Sequence, residues 1–199
     1  MAIIAEQQFT QKIHTMKKSN VLLFTFLMLV TGLTAQSNFT LTSKDLGGQA
    51  TTLQEFNGFG CTGDNISPVL SWKNPPSETK SFAVTMYDPD APTGSGWWHW
   101  VMFDIPMETE GLVANAGNVK LNLAPKGAIQ SLTDYGVPGY GGPCPPEGHG
   151  FHQYVITVHA LKTDHLGLDE KANAAVVGYY LGQNTLAKAS IVAYYKREK

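Results

Sequence analysis

The sequence has 199 residues, 43% of them hydrophobic, with 14 Lys and Arg against 16 Asp and Glu for a formal charge of −2. That balance, without a polybasic run, supplies no electrostatic footprint for nucleic acid or for an anionic membrane surface. The length suits one ordinary domain with a core of its own.

The first element along the chain is a leader. Met16-Lys17-Lys18-Ser19-Asn20 is a short basic start, Val21 to Val30 is apolar except for Thr25, and Gly32, Leu33, Thr34 and Ala35 follow. A positive region, a short apolar run and a small residue at the cut describe a secretory signal peptide. The run is short for a membrane span, which needs about 20 apolar residues. A buried core helix is the alternative, and Lys17-Lys18 before the run and Gln36-Ser37-Asn38 after it favour the signal. The expected cut follows Ala35, although Leu33 is bulkier than the usual small-residue pattern. Residues 1–15 would make an unusual leader start, so Met16 is expected to be the true first residue. No Cys near the cut points to a lipid anchor. Residues 1–35 are thus read as the leader and 36–199 as a single domain of 164 residues, with 11 Lys and Arg against 15 Asp and Glu. It is expected in the periplasm or the medium, with no integral membrane segment after processing.

Short strand-like segments fill the domain. Phe39 to Ser43 alternates, Val69 to Trp72 follows Pro68, and Ser81 to Tyr87 places Phe82, Val84 and Met86 on one face. The stretch from His99 places His99, Val101, Phe103 and Ile105 on one face, and Pro106 ends it. Tyr154 to Leu161 and Ser190 to Tyr195 are rich in β-branched and aromatic residues. Such segments, punctuated by Gly, Pro and Asn, indicate an antiparallel sandwich or barrel-like fold. One helix is expected late in the chain, capped by Asp169, with Ala172, Ala175, Val176, Tyr179 and Tyr180 at helical spacing. Gly178 and Gly182 weaken it, and a shorter turn is expected near 184–188.

The domain has two cysteines, Cys61 and Cys144. Export leads to an oxidising compartment, where an even count predicts a disulfide. The bridge would close a loop of about 80 residues, for which chain entropy predicts roughly 4 kcal/mol. Two free buried thiols are the alternative; a metal site is disfavoured because neither Cys has a second Cys or a His at ligand spacing.

Two stretches break the strand pattern. Asp88-Pro89-Asp90-Ala91-Pro92 presents two carboxylates on a turn stiffened by proline; a purely structural Asx turn is the alternative, and it suits Asp90 better than Asp88. In Gly139 to Gly150, eight of twelve residues are Gly or Pro, and a loop of this kind is held for a purpose or by a staple. Trp97-Trp98-His99-Trp100 opens a strand, serving either core packing or a ligand, and sets an imidazole beside the Asp turn. His152 and Tyr154 alternate onto one face after the Gly/Pro loop. His149, His159 and His165 are read as structural or solvent-facing.

Asp88-Pro89-Asp90-Ala91-Pro92, Trp98-His99-Trp100, Gly142-Pro143-Cys144-Pro145-Pro146 and Gly150-Phe151-His152-Gln153-Tyr154, in that order, closely resemble the phosphatidylethanolamine-binding protein family. In detail they look like its bacterial, Raf-kinase-inhibitor-like branch, as do Asp64-Asn65-Ile66-Ser67-Pro68 and the run from Gly136 to Gly142. The resemblance covers essentially all of the mature chain. It implies a mostly β fold, an antiparallel β-sandwich with a few short helices and a small pocket at the sheet edge. In the family that pocket accepts phosphate, acetate, phosphoethanolamine-like or phosphotyrosine-like groups. Carried over by motif, its wall is expected from Asp88, Trp98, His99, His152 and Tyr154, with Pro143, Cys144, Pro145 and Pro146 on the loop. Asp88 is expected to contact the ligand or orient His99, while Asp90, Pro92 and Gln153 support the turn. The family commonly has Arg where this chain has Gln153, which would replace an ion pair to Asp90 by a neutral hydrogen bond.

The sequence therefore predicts a binding protein for a small anion or phospholipid head group, with no cofactor or metal and a possible protein partner. A hydrolase using His99, His152 and Asp88 as acid–base groups is the second reading, and it lacks a G-x-S-x-G nucleophile. Inhibition of an extracellular protease or kinase through the pocket rim is the third.

Overall fold

The computed structural model describes residues 38–199. The leader, its cut after Ala35 and the start at Met16 lie outside the described residues. Asn38–Lys199 contains β1 (Thr40–Thr42), β2 (Asn57–Gly58), β3 (Cys61–Thr62), β4 (Leu70–Lys73), β5 (Ser81–Asp88), β6 (Trp97–Pro106), β7 (Gly111–Leu112), β8 (Ile129–Gln130), β9 (His152–Leu161), α1 (Ala174–Asn184) and β10 (Thr185–Tyr195). A five-stranded sheet runs β10-β9-β5-β6-β8, a three-stranded sheet runs β1-β4-β7, and β2 and β3 form a hairpin. Every strand pair is antiparallel.

The alternation of β5 decides which face meets the small sheet. Phe82, Val84 and Met86 pack with Leu41, Leu70, Trp72 and Leu112 in the larger core, joined by Trp100, Met102, Tyr154, Ile156 and Val158. Full burial of such side chains is worth about 1.5–3 kcal/mol each, so this layer dominates the stability. The opposite face is covered in part by α1, where Ala83, Val101, Phe103 and Leu161 meet Ala174, Val177 and Leu181.

Strand β6 departs from simple alternation. Across it Phe82 faces Ile105 and Val84 faces Met102, while Met86 faces Trp100 and Tyr87 faces Trp98. Extra residues therefore bulge out near Asp104, which has a φ of 55°, and at His99. Each bulge reverses the side-chain phase. Val101 and Phe103 consequently point toward α1 while Ile105 joins the larger core, so the four residues predicted on one face are split.

The helix begins at Ala174, two residues after its first predicted apolar position, Ala172. Asn173 rather than Asp169 caps it, accepting from the Val176 N–H; Asp169 accepts instead from the Lys171 N–H. The buried residues are Ala174, Val177 and Leu181, whereas Val176, Tyr179 and Tyr180 are exposed. The expected turn near 184–188 is strand, because β10 begins directly at Thr185.

Candidate functional site

Strand β5 lies between β9 and β6, so the C-terminal end of β5 meets the first residues of both neighbours. That topology gathers Asp88, His99, His152 and Tyr154, which are far apart in sequence, into one wall. They line a cavity of about 170 Å³ together with Phe59, Ala91, Pro92, Thr93, Trp97, Tyr135, Cys144, Pro145 and Pro146. Such a volume is below the usual range for drug-sized ligands, about 300–1,000 Å³, and suits a small head group.

Asp88 is buried at 3% exposure and both its oxygens are engaged. One accepts the Asp90 N–H at 2.8 Å, closing the turn that proline stiffens. The other meets His152 Nδ1 at 2.8 Å. Asp88 therefore orients His152, and the expected orientation of His99 is corrected: His99 Nδ1 lies 2.8 Å from the Gly141 carbonyl and 3.1 Å from that of Gly142. Carbonyls only accept, so Nδ1 carries the hydrogen and Nε2 is left as the acceptor when the ring is neutral. Burial pushes His99 down to about 4, against smaller upward pulls from the Gly141 carbonyl and the Asp88 charge. Its ring is neutral at pH 7.

The bulge explains how His99 reaches the cavity. The extra residue turns His99 toward the side of Tyr154, whose ring lies 5.1 Å away edge-on. Trp98 is turned the other way, 4.6 Å from Tyr87, and does not line the cavity; Trp97 takes the place predicted for it. Pro143 also stands back from the wall. Its carbonyl accepts the Phe56 N–H at 3.0 Å, so it anchors the loop.

That loop is held from several sides. Gly142 passes so close to the Gln54 carbonyl that an added Cβ would lie 1.8 Å from it, and its N–H donates to Asn65 Oδ1 at 2.8 Å. The Cys61–Cys144 disulfide, with Cα atoms 6.0 Å apart, ties the loop to the β2–β3 hairpin that carries Phe59. Asp90 braces the other side by accepting the Gln153 backbone N–H at 2.8 Å. The brace thus comes from the main chain, which any residue supplies, and the replacement of the family Arg leaves it intact.

Sequence reasoning missed three contributors. Tyr135 stacks on Phe56 at 4.1 Å and donates to the Gly142 carbonyl at 2.9 Å; its only sequence signal was its place directly before the run from Gly136. Phe59 is 74% exposed at the rim. His149, read as structural or solvent-facing, places Nδ1 2.7 Å from His152 Nε2.

Two donors at the cavity stand out. Trp97 Nε1 and the Tyr154 hydroxyl are buried without a hydrogen-bond partner among the described residues, and leaving such groups unpaired is costly. Burial, and then the Asp88 charge, raise Tyr154 above its ordinary value, so the hydroxyl keeps its proton. Among the described residues, neither Lys nor Arg lines the cavity. Chemically the wall holds an acceptor on His99, the Asp88–His152 pair and two aromatic residues whose neutral donors lie buried behind its surface.

A family model described as phosphatidylethanolamine-binding protein matches residues 44–196. The chain is 45% identical over 174 residues to the UPF0098 protein YbcL of Escherichia coli K12, covering 86% of this chain and 95% of the relative. It is 50% identical over 140 residues to YbhB of the same organism, covering 70% and 87%. Its fold matches the crystal structure of E. coli YbcL, described as a new member of the mammalian PEBP family, with a TM-score of 0.79 over 81% of this chain and 100% of that one at 46% identity. A PEBP homolog from Chlamydia trachomatis matches with a TM-score of 0.66 at 26% identity, over 80% and 98%. The match spans the strands that build the cavity, and the chain belongs to the phosphatidylethanolamine-binding protein family.

Proposed function

We propose that this chain is a non-enzymatic binding protein whose pocket takes a small oxyanion, a phosphate or phospholipid head group. The observation that carries the reading is the pair of unpartnered buried donors, Trp97 Nε1 and the Tyr154 hydroxyl, at one cavity. A small movement of either ring would let an oxyanion in the cavity serve as its acceptor. His99 Nε2 adds an acceptor in the same wall, open to a donor on the ligand or to water. Export to an oxidising compartment is part of the proposal, and the Cys61–Cys144 bridge supports it. A protein partner reaching the pocket would meet the exposed Phe59 ring.

A hydrolase is favoured by one observation, the buried Asp88–His152 pair, which is the geometry of an oriented general base. The cavity hydroxyls argue against it. Thr93 donates to the Gly96 carbonyl and Tyr135 to the Gly142 carbonyl, and Tyr154 is held protonated. The deciding experiment is thermal unfolding with inorganic phosphate or phosphoethanolamine. A rise in Tm is expected for the wild type, with apparent affinity falling about tenfold in Tyr154→Phe, since a hydrogen bond to a charged group is worth about 1.5–3 kcal/mol. No response of the wild type to either compound would sink the reading.

A further inference from the structure

We propose that His149 is a positioning residue for the charge of the pocket: anion binding charges His152, and His149, through which the proton enters from solvent, then accepts the new His152 N–H and holds that charge in place. This rests on the oxyanion reading above and specifies how the charge of that ligand is met.

The geometry is a continuous chain. The exposed His149 ring reaches His152 Nε2 through its Nδ1 at 2.7 Å, and His152 Nδ1 reaches the buried Asp88 Oδ2 at 2.8 Å. Two ring nitrogens this close share one hydrogen, because two N–H groups would oppose each other and two lone pairs would repel. With Asp88 ionised, His152 donates from Nδ1. In the neutral chain His149 therefore donates from Nδ1 to the lone pair on His152 Nε2, and its own outer nitrogen, Nε2, faces outward as an acceptor.

A proton arriving at His149 Nε2 allows the Nδ1 hydrogen to pass to His152. One N–H bond forms at the outer nitrogen, one breaks at Nδ1, and one forms at His152 Nε2. His149 ends neutral and His152 ends as an imidazolium in the cavity wall. The positive charge appears beside the ligand although the proton was taken from solvent.

The cavity needs such a charge. Asp88 places a carboxylate in its wall and, among the described residues, neither Lys nor Arg lines it, so an incoming anion meets like charge unless a positive group appears. His99 does not supply it, because burial keeps that ring neutral. Of the lining residues that leaves His152, and His149 is its link to water. Histidine is the side chain suited to such a change near neutral pH.

Most other charged groups around this loop already have partners. Glu147 on the same loop holds Arg197 at 2.6 Å, and Arg197 also approaches Glu55 at 3.8 Å. Lys199 packs over Gly148. Lys196 pairs with Glu198 at 2.6 Å and lies over the Phe151 ring, and Asp90 is bound to the Gln153 N–H. The glycines on either side of His149, Gly148 and Gly150, have φ values of 70° and 92°, which set the ring's position on a tight loop.

Binding that favours the protonated chain takes up protons, so affinity falls as pH rises, by up to about tenfold per unit for one proton. The test is calorimetric titration of the full chain with sulfate, which has no proton to lose between pH 6 and 8, in buffers of different ionisation enthalpy. Inorganic phosphate is run in parallel. Wild type is expected to take up a proton with sulfate and to bind it more weakly at pH 8 than at pH 6. His149→Ala, at an exposed position, removes the ring that accepts from the charged His152 and is expected to bind both anions with less proton uptake and a flatter pH dependence, and His149→Leu to repeat the result. Binding without proton uptake, or uptake unchanged in both variants, overturns the proposal and leaves the oxyanion reading standing. Failure of both anions to bind the wild type overturns both.

Discussion

The five-stranded sheet holds an aspartate–histidine pair at each end, and they are not equivalent. At one end Asp88 meets His152 at 2.8 Å with both side chains buried; at the other Asp104 meets His165 at 3.2 Å with the histidine 78% exposed. Both aspartates also accept a backbone N–H, from Asp90 and Leu166 respectively. Asp104 uses that bond to steady a bulge, and its histidine stays in water, where an ion pair is worth about 0–1 kcal/mol. Asp88 has the Gly/Pro loop folded over it, and its histidine passes the contact on to His149. The same two residue types make a turn brace at one end and a candidate recognition site at the other. What separates them is the loop.

The largest expected effect comes from breaking the first pair. Asp88→Ala leaves His152 buried without its partner and opens the turn, and should cost about 3 kcal/mol in urea unfolding; the Tm response to phosphate should vanish with it. A stable Asp88→Ala that still responds to phosphate would show that the pair is not part of the site.

A second experiment sharpens how burial acts beside that pair. His99 is lowered to about 4 in the folded chain from an ordinary 6.5, so the unfolded chain binds its proton first. This contribution to stability is present above pH 6.5 and is lost as pH falls toward 4, with roughly 2 kcal/mol gone by pH 5. His159 is likewise lowered to about 4 by burial and then by Lys188, and it sits between the Thr85 and Thr185 hydroxyls with no carboxylate. His99→Gln should therefore remove part of the acid-side slope in urea unfolding and leave the part due to His159. An unchanged slope would mean that His99 is already protonated in the fold.

The smallest effect belongs to the exposed pair. His165→Ala should change stability by less than about 0.5 kcal/mol and leave the phosphate response alone. A loss above 2 kcal/mol would remove the contrast between the two ends.

Much of the fold follows from local pattern. The alternation of Phe82, Val84 and Met86 places β5 correctly because a strand repeats every two residues whatever it pairs with. The Asp88–Asp90 turn is readable because proline fixes its own φ. Cys61 and Cys144 are readable because a sequence with two cysteines allows one intramolecular bridge.

Other features could not be read this way. Apolar spacing put Val176, Tyr179 and Tyr180 on the inner face of α1, but that face is chosen by Val101, Phe103 and Leu161 on distant strands. Trp98 was assigned to the pocket because its motif contains it, whereas the bulge at His99 exists only in register with β5 and exchanges Trp98 for Trp97. His149 carries no pattern at all.

By itself the sequence determined most of the strands, the Asp88–Asp90 turn and the cysteine pair, since backbone preference and side-chain period act over neighbouring positions. Tertiary structure alone decided which side chains meet. The phase of β6 is set by its partner strand, Tyr135 reaches the wall through a loop held by Gly142 and the disulfide, and the Asp88–His152–His149 chain spans contacts 64 and 3 residues apart. Its chemistry arises only when burial removes the water that would otherwise separate those groups.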